Sequence, residues 1–295
     1  MFKNYFKIAW RNISRHRVFT IINVLGLSLG ICACIVIYLV TSHDLSFDQF
    51  HPDKERIFRI VGEMQHSDGN KEFLNSPLDD VAGFQNQVPG FEAAAGFHLF
   101  GEDVSIPDGN NPVKKFGGRV ESQEAWYSSS ILAGPEYFNI FTYQWLAGNE
   151  KTALKDPFKV VLTENRARLY FGNELPQNII GKKVIYQDSL AVTVSGIVKD
   201  WSGNTNFAYT DFISISTATH SFLKDRIPTE DWSSLSPHRS MAFVKLTAGT
   251  TASQVNARFA DYIKEHVKLH NPGSKLTMYL QPVTDVHFAK TLNRG

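Results

Sequence analysis

The 295-residue chain carries 30 Lys and Arg against 29 Asp and Glu, a formal charge of +1, and 43% hydrophobic residues. This balance excludes the basic signature of a nucleic-acid-binding domain, and two cysteines are too few for a disulfide-built scaffold. The near-neutral total conceals a polarity: five basic and no acidic residues precede residue 41, and 25 basic against 29 acidic follow it.

Residues 1–17 place Phe2, Tyr5, Phe6, Ala9, Trp10 and Ile13 at three- and four-residue spacing, with the basic residues mostly on the other face. The spacing predicts an amphipathic helix lying along the cytoplasmic face of a membrane. Val18–Val40 follows without a formal charge. As a helix it would be roughly 34 Å long, enough to cross a hydrocarbon core of about 30 Å. Lys3, Lys7, Arg11, Arg15 and Arg17 all precede this run, so the positive-inside tendency places the N-terminus in the cytoplasm and residues after about 41 outside. A cleaved secretory signal competes with this reading. Against it, the apolar run exceeds the usual 7–15 residues or so, and Thr41-Ser42-His43-Asp44 offers no small-x-small cleavage site. Cys32 and Cys34, both inside the run, point away from each other on a helix, which argues against a mutual disulfide.

Residues 41–295 are numerous enough for two subdomains. Phe47–Pro52 reads as a connector, Arg56–Gln65 as a strand, residues 66–70 as a turn and Lys71–Asn75 as a hairpin partner. Ser76, Pro77 and Asp79 resemble an N-cap, first-turn proline and capping-box acid, opening a helix to about Val88 that Pro89-Gly90 ends. Residues 91–215 are rich in strands and turns, with a loop over 107–112. Within them a helix is predicted at Thr163–Phe171, closed by Gly172, and Leu190, Val192 and Val194 mark a strand that Gly196 interrupts with a bulge. Further on, Ala242, Val244 and Leu246 form a strand face. Val255, Phe259, Tyr262, Ile263, His266 and Val267 form a helical stripe, and Leu276, Met278 and Leu280 alternate again. The class is therefore α+β: residues 45–90 and 216–295 make a βαβ-type layered subdomain into which a strand-rich subdomain, 91–215, is inserted.

Chemical motifs are weak. Gly26-Leu27-Ser28-Leu29-Gly30 matches a nucleophile elbow in letters, but it sits inside a predicted membrane helix rather than at a strand-to-helix turn. Gly26 and Gly30 instead form a small-xxx-small pair that lets a second helix approach. His266 and His270 have metal-ligand spacing, yet no Glu follows His266 as a metalloprotease requires, and Asn271-Pro272 ends the helix. Gly181-Lys182-Lys183 lacks the earlier glycine and the hydroxyl residue of a phosphate loop. No catalytic residue, cofactor or metal is expected, and the many carboxylates read by default as solvated surface.

A longer set of motifs, taken in order, carries a resemblance. Ala9-Trp10-Arg11-Asn12-Ile13 leads through Arg15 and Asn23 to Gly26–Gly30. Phe47-Asp48-Gln49-Phe50-His51 precedes Arg56-Ile57-Phe58-Arg59-Ile60. Glu136–Phe141, Leu162–Glu164 through Phe171-Gly172, Ile180–Lys182, Val194–Asp200 and Leu280–Phe288 complete the series. It resembles the MacB/FtsX-like permeases of ABC transporters with a MacB-like periplasmic core domain, particularly the long permeases of Bacteroidetes-type bacteria. Phe47 stands where the family often has tyrosine, and Trp201-Ser202 where it often has Leu-Pro.

The resemblance implies a non-enzymatic, inner-membrane permease with a porter-like part and an inserted part. Energy would come from a separate ABC ATPase, with export or mechanotransmission as the output. Implied partners are that ATPase, a second permease copy or paralogue, membrane lipid and a periplasmic protein. The family would continue toward a second membrane helix, and nothing after Val40 is long and apolar enough to be one, so the chain reads as the N-terminal portion of a permease. The alternatives are a single-pass anchored sensor or binding module, and a membrane-tethered hydrolase favoured only by the glycine-serine-glycine pattern.

Overall fold

The computed structural model describes residues 2–75, 80–101, 103–108, 111–117, 119–122, 125–225, 227, 240–267 and 273–289. The chain divides into two compact units, Met1–Phe47 and Asp48–Gly295.

The first unit is two helices, α1 (Phe2–Arg15) and α2 (Arg17–Asp44). At His16 the backbone leaves helical geometry (φ −113°, ψ 53°). His16 N–H bonds the Asn12 carbonyl at 3.1 Å and Thr20 N–H the His16 carbonyl at 3.0 Å on either side of this bend, while the Ile13 and Ser14 carbonyls accept from the Thr20 and Arg17 side chains. With 28 residues α2 is about 42 Å long, and it is long and apolar enough to cross a membrane. It exceeds the predicted 18–40 span because Thr41–Asp44 contains no helix breaker, and Ser42 Oγ bonds the Leu39 carbonyl inside the last turns. Its large apolar side chains are exposed.

The second unit begins with β1 (Ile57–Gln65), β2 (Lys71–Asn75), α3 (Asp80–Gln87) and β3 (Phe91–Leu99). Next come β4 (Val104–Asp108), β5 (Asn111–Phe116), β6 (Arg119–Ser122), β7 (Ala125–Ser128), β8 (Ser130–Ala133), α4 (Glu136–Ile140) and β9 (Trp145–Ala147). Then follow β10 (Lys159–Thr163), α5 (Glu164–Phe171), α6 (Pro176–Ile179), β11 (Lys183–Tyr186), β12 (Leu190–Val198), β13 (Asp211–Ser214) and α7 (Ser216–Thr219). The unit closes with β14 (Ser240–Leu246), α8 (Ala252–His266) and β15 (Lys275–Pro282). The predicted cap at Ser76, Pro77 and Asp79 lies outside the described residues.

Thirteen described strands form one mixed sheet in the order β15-β1-β14-β3-β8-β13-β10-β12-β11-β4-β5, with β2 beside β1 and β9 beside β12. Its first four strands are antiparallel. With α3 and α8 they follow the chain order of a split-βαβ motif, β1-α3-β3-β14-α8-β15. Residues 100–239 enter between β3 and β14. Phe91–Leu99, at the start of the expected 91–215 segment, pairs with β14 on one side and β8 on the other. Ala93, Ala94 and Ala95 are buried in succession, so this strand has no alternation to betray its faces.

One face of the four strands packs Ala94, Ala242, Val244, Leu276, Met278 and Leu280 against Phe84 of α3 and Val255, Phe259 and Tyr262 of α8. Thr251 and Gln254 close a reciprocal capping box at the start of α8. The helix ends at His266, leaving Val267 as its C-cap. The opposite face turns Phe97, Met241 and Phe243 into an aromatic core with Tyr137, Phe141 and Phe212. A third cluster lies within the insertion, where β10 and β12 pair in parallel and the register slips at Val160/Val161 opposite Gly196, the predicted bulge. Phe259 is buried edge-on to Phe84, with ring centroids 5.9 Å apart. Phe259→Ala is expected to cost about 3–5 kcal/mol in denaturant unfolding, and an unchanged midpoint would contradict this packing.

Candidate functional site

The first residues of the second unit are locked into it by a polar clasp. Asp48 adopts a left-handed backbone (φ 56°), a conformation that a short polar side chain tolerates better than a bulky one. That turn aims its carboxylate inward, where it is fully buried. Asp48 N–H bonds the Asn204 carbonyl at 2.8 Å. Thr205 Oγ1 donates to Asp48 Oδ1, and Asn206 donates to Oδ2 from Nδ2 at 3.2 Å and from its backbone at 3.5 Å. Thr205 Oγ1 in turn accepts from Phe207 N–H at 3.0 Å, pinning the loop between β12 and β13. Asn206 Oδ1 lies 3.1 Å from His287 Nδ1, on the 3-10 turn Val283–Phe288 that follows β15. The carboxylate thus holds the Asn204–Asn206 loop, and Asn206 links that loop on to the turn after β15.

An aromatic wall covers the clasp. His51 is buried, with Nε2 3.6 Å from Asp48 Oδ1 and its ring edge-on to Trp201 (centroids 4.9 Å) and tilted against Phe50 (4.3 Å). Tyr143 stacks on Trp201 at 4.2 Å, and burial pushes the Tyr143 and Tyr137 hydroxyls well above the ordinary tyrosine range. Gly203 passes so close to Phe50 that a Cβ there would fall 2.2 Å from the ring. Only glycine lets the loop approach this far. Just beyond, Lys245 Nζ lies 2.6 Å from Asp53 and 3.1 Å from Glu92, and Arg56 pairs with both carboxylates. The hydrogen bonds from Lys245 and Arg56 hold Asp53 below its ordinary range.

A second buried carboxylate organises the insertion. Asp211 of β13 accepts from Arg166 Nε at 2.7 Å, Tyr170 Oη at 2.8 Å, Tyr186 Oη at 2.6 Å and Thr210 Oγ1 at 2.7 Å. Arg166 also reaches Ser129 Oγ at 2.7 Å. Burial pulls the Arg166 guanidinium down most strongly, but the charge and hydrogen bond of Asp211 together with the neighbouring Tyr170 and Tyr186 leave the group above its ordinary value. Burial, followed by that same charge, raises both tyrosines. Asp48 and Asp211 correct the default reading of the carboxylates as solvated surface.

The residues singled out from the sequence lie elsewhere. Lys7, Arg11 and Arg15 are exposed on α1, which also carries Lys3, while Arg17 Nε donates to the Ser14 carbonyl at the bend. Gly26 and Gly30 lie on α2, where an added Cβ at either would meet nothing within 4 Å. Ser28 Oγ bonds the Val24 carbonyl within the helix, so the nucleophile-elbow context is missing. His266 lies 3.6 Å from Glu265, and His270 is outside the described residues. Among the described residues no three His, Cys, Asp or Glu side chains gather as a metal site would need. A cleft of about 220 Å³ beside Pro89, Arg258 and Asp261 falls below the usual size of a ligand pocket. The clasp was missed although Phe47–His51 and Leu280–Phe288 both stood out as motifs; that they converge on the turn at Asn204–Asn206 is the signal sequence reasoning lacked.

These features define a class: a mixed α+β domain following a long apolar helix, organised by buried carboxylate clasps. Residues 20–262 match the family model described as MacB-like periplasmic core domain, and the chain belongs to that family. A crystal structure of a domain assigned to a permease protein from Porphyromonas gingivalis superposes with a TM-score of 0.61 at 20% identity, covering 80% of this chain and 92% of that one. At that identity the likeness shows the fold. No curated protein matches.

Proposed function

We propose that the chain acts as the N-terminal part of an ABC transporter permease. It would couple ATP hydrolysis by a separate ATPase to export or mechanotransmission across the bacterial inner membrane. The observation that carries this reading is family membership in a MacB-like periplasmic core domain, joined within one chain to a helix long enough to span a bilayer. In it the N-terminus is cytoplasmic, α2 crosses the membrane and the Asp48–Gly295 unit is periplasmic. The role is non-enzymatic, and a second permease copy or paralogue completes the pair, with Gly26 and Gly30 as a helix-packing face.

Coupling requires at least two arrangements of the outer unit that nucleotide state biases differently. The clasp suits this role, because it ties the first residues after the apolar helix to the insertion and to the end of the split-βαβ motif. Cysteine labelling in intact cells tests the orientation. A Lys7→Cys variant should be protected from a membrane-impermeant reagent and a Glu174→Cys variant labelled; the reverse pattern would overturn the topology.

A further inference from the structure

We propose that α1 is a docking helix for an anionic bilayer surface, with Lys7, Arg11 and Arg15 as the row that meets the lipid phosphates. The inference rests on the anchored reading above and adds lipid selectivity to it. Each amphipathic helix in a folded chain needs a cover for its apolar face. For α8 that cover is the sheet, which buries Val255, Phe259 and Tyr262. For α1 the face is bare: Tyr5, Phe6, Trp10 and Ile13 remain 71%, 73%, 64% and 49% exposed.

The occupant follows from charge and chemistry. Lys7, Arg11 and Arg15 are four residues apart, so each lies one turn beyond the last on a single face, and all three are exposed. The first carboxylate in the chain is Asp44, at the far end of α2, so no acid within α1 neutralises the row. Arg17, which donates to the Ser14 carbonyl, caps the end of α1 and is not counted in the row. On the other face Tyr5 and Trp10 combine an apolar body with a polar handle, the side-chain type enriched at membrane–water interfaces. A helix sunk to headgroup depth on that face holds its basic side chains within a Debye length, about 8 Å, of the phosphates. The bend at His16 lets α1 depart from the direction of α2. Each basic residue near an anionic surface favours association by about fivefold at physiological ionic strength, so three together bias α1 toward the surface by about a hundredfold.

The test uses the full chain in lipid nanodiscs, with Cys32→Ser and Cys34→Ser and one spin label at Ala9→Cys on the apolar face or Asn4→Cys on the polar face. Relative collision with oxygen and with a neutral nickel chelate reads the depth of each label. In discs with about one-third phosphatidylglycerol, the label at position 9 should be buried and the label at position 4 should face water. In phosphatidylcholine discs the position-9 label should move toward water. Lys7→Gln, Arg11→Gln and Arg15→Gln combined should erase the difference between lipids. Equal depth in both lipids, or a deeper label at position 4, would overturn the proposal. Protection of position 9 only on adding the purified ATPase would overturn it too, assigning the row to a protein partner. Protease digestion of the same discs reports separately on α2: failure of α2 to span sinks the anchored reading, whereas a spanning α2 with a lipid-indifferent α1 sinks only this inference.

Discussion

Asp211→Ala is expected to lower the stability of the Asp48–Gly295 unit by about 3–5 kcal/mol, the usual loss when one partner of a buried ion pair is removed. The cost comes from what stays behind. Arg166 is left nearly buried without its counter-ion, and the Tyr170 and Tyr186 hydroxyls lose their acceptor. Asp211→Asn keeps an oxygen in place while removing the charge, and should fall between wild type and alanine. Replacing Arg166 by Met in the Asp211→Ala background should recover part of the loss, because it withdraws the stranded charge. Urea unfolding followed by tryptophan fluorescence measures all three, and a loss below about 1 kcal/mol for Asp211→Ala would show that the network contributes little.

Asp48→Ala is the second large effect, expected at about 2–4 kcal/mol. It strands the half-buried donors on Thr205 and Asn206, and it puts alanine where φ is 56°. Asp48→Asn tolerates the left-handed backbone and retains one acceptor oxygen, so its cost should be about half or less. The pair separates backbone strain from lost hydrogen bonds. Equal losses for Ala and Asn would assign the whole effect to the carboxylate charge, and no loss for either would remove the clasp from the account. Hydrogen exchange at the Asp48 and Phe207 amides should rise in the alanine variant before exchange in the α8 region does.

How much of this was legible in the sequence depended on how local each signal was. The β1–β2 hairpin was readable because a turn-rich 66–70 separates two strand-like runs, and α5 because Gly172 follows it with φ 79°, a geometry suited to glycine. The stripe Val255, Phe259 and Tyr262 repeats on one helical face, and those three residues are the ones buried. β3 was illegible as part of the split-βαβ motif, because a run of alanines buried on both faces shows no period. The clasp was illegible for a different reason: Asp48 and its partners Thr205 and Asn206 are 157 and 158 positions apart, and nothing local to Asp48 distinguishes a buried carboxylate from a solvated one. Asp211 was hidden in the same way, since Arg166, Tyr170 and Tyr186 are 45, 41 and 25 positions from it.

The coupling claim is tested most directly by ATP turnover. The protein would be isolated with its accompanying ATPase, and turnover measured in nanodiscs for the ATPase alone, for the wild-type complex and for a complex carrying Asp48→Ala. The wild-type complex should change the ATPase rate severalfold, and Asp48→Ala, with complex formation verified by co-elution, should return the rate toward that of the ATPase alone. An ATPase rate indifferent to the wild-type permease within a verified complex would contradict coupling, and robust ATP hydrolysis by the 295-residue chain on its own would contradict the non-enzymatic role.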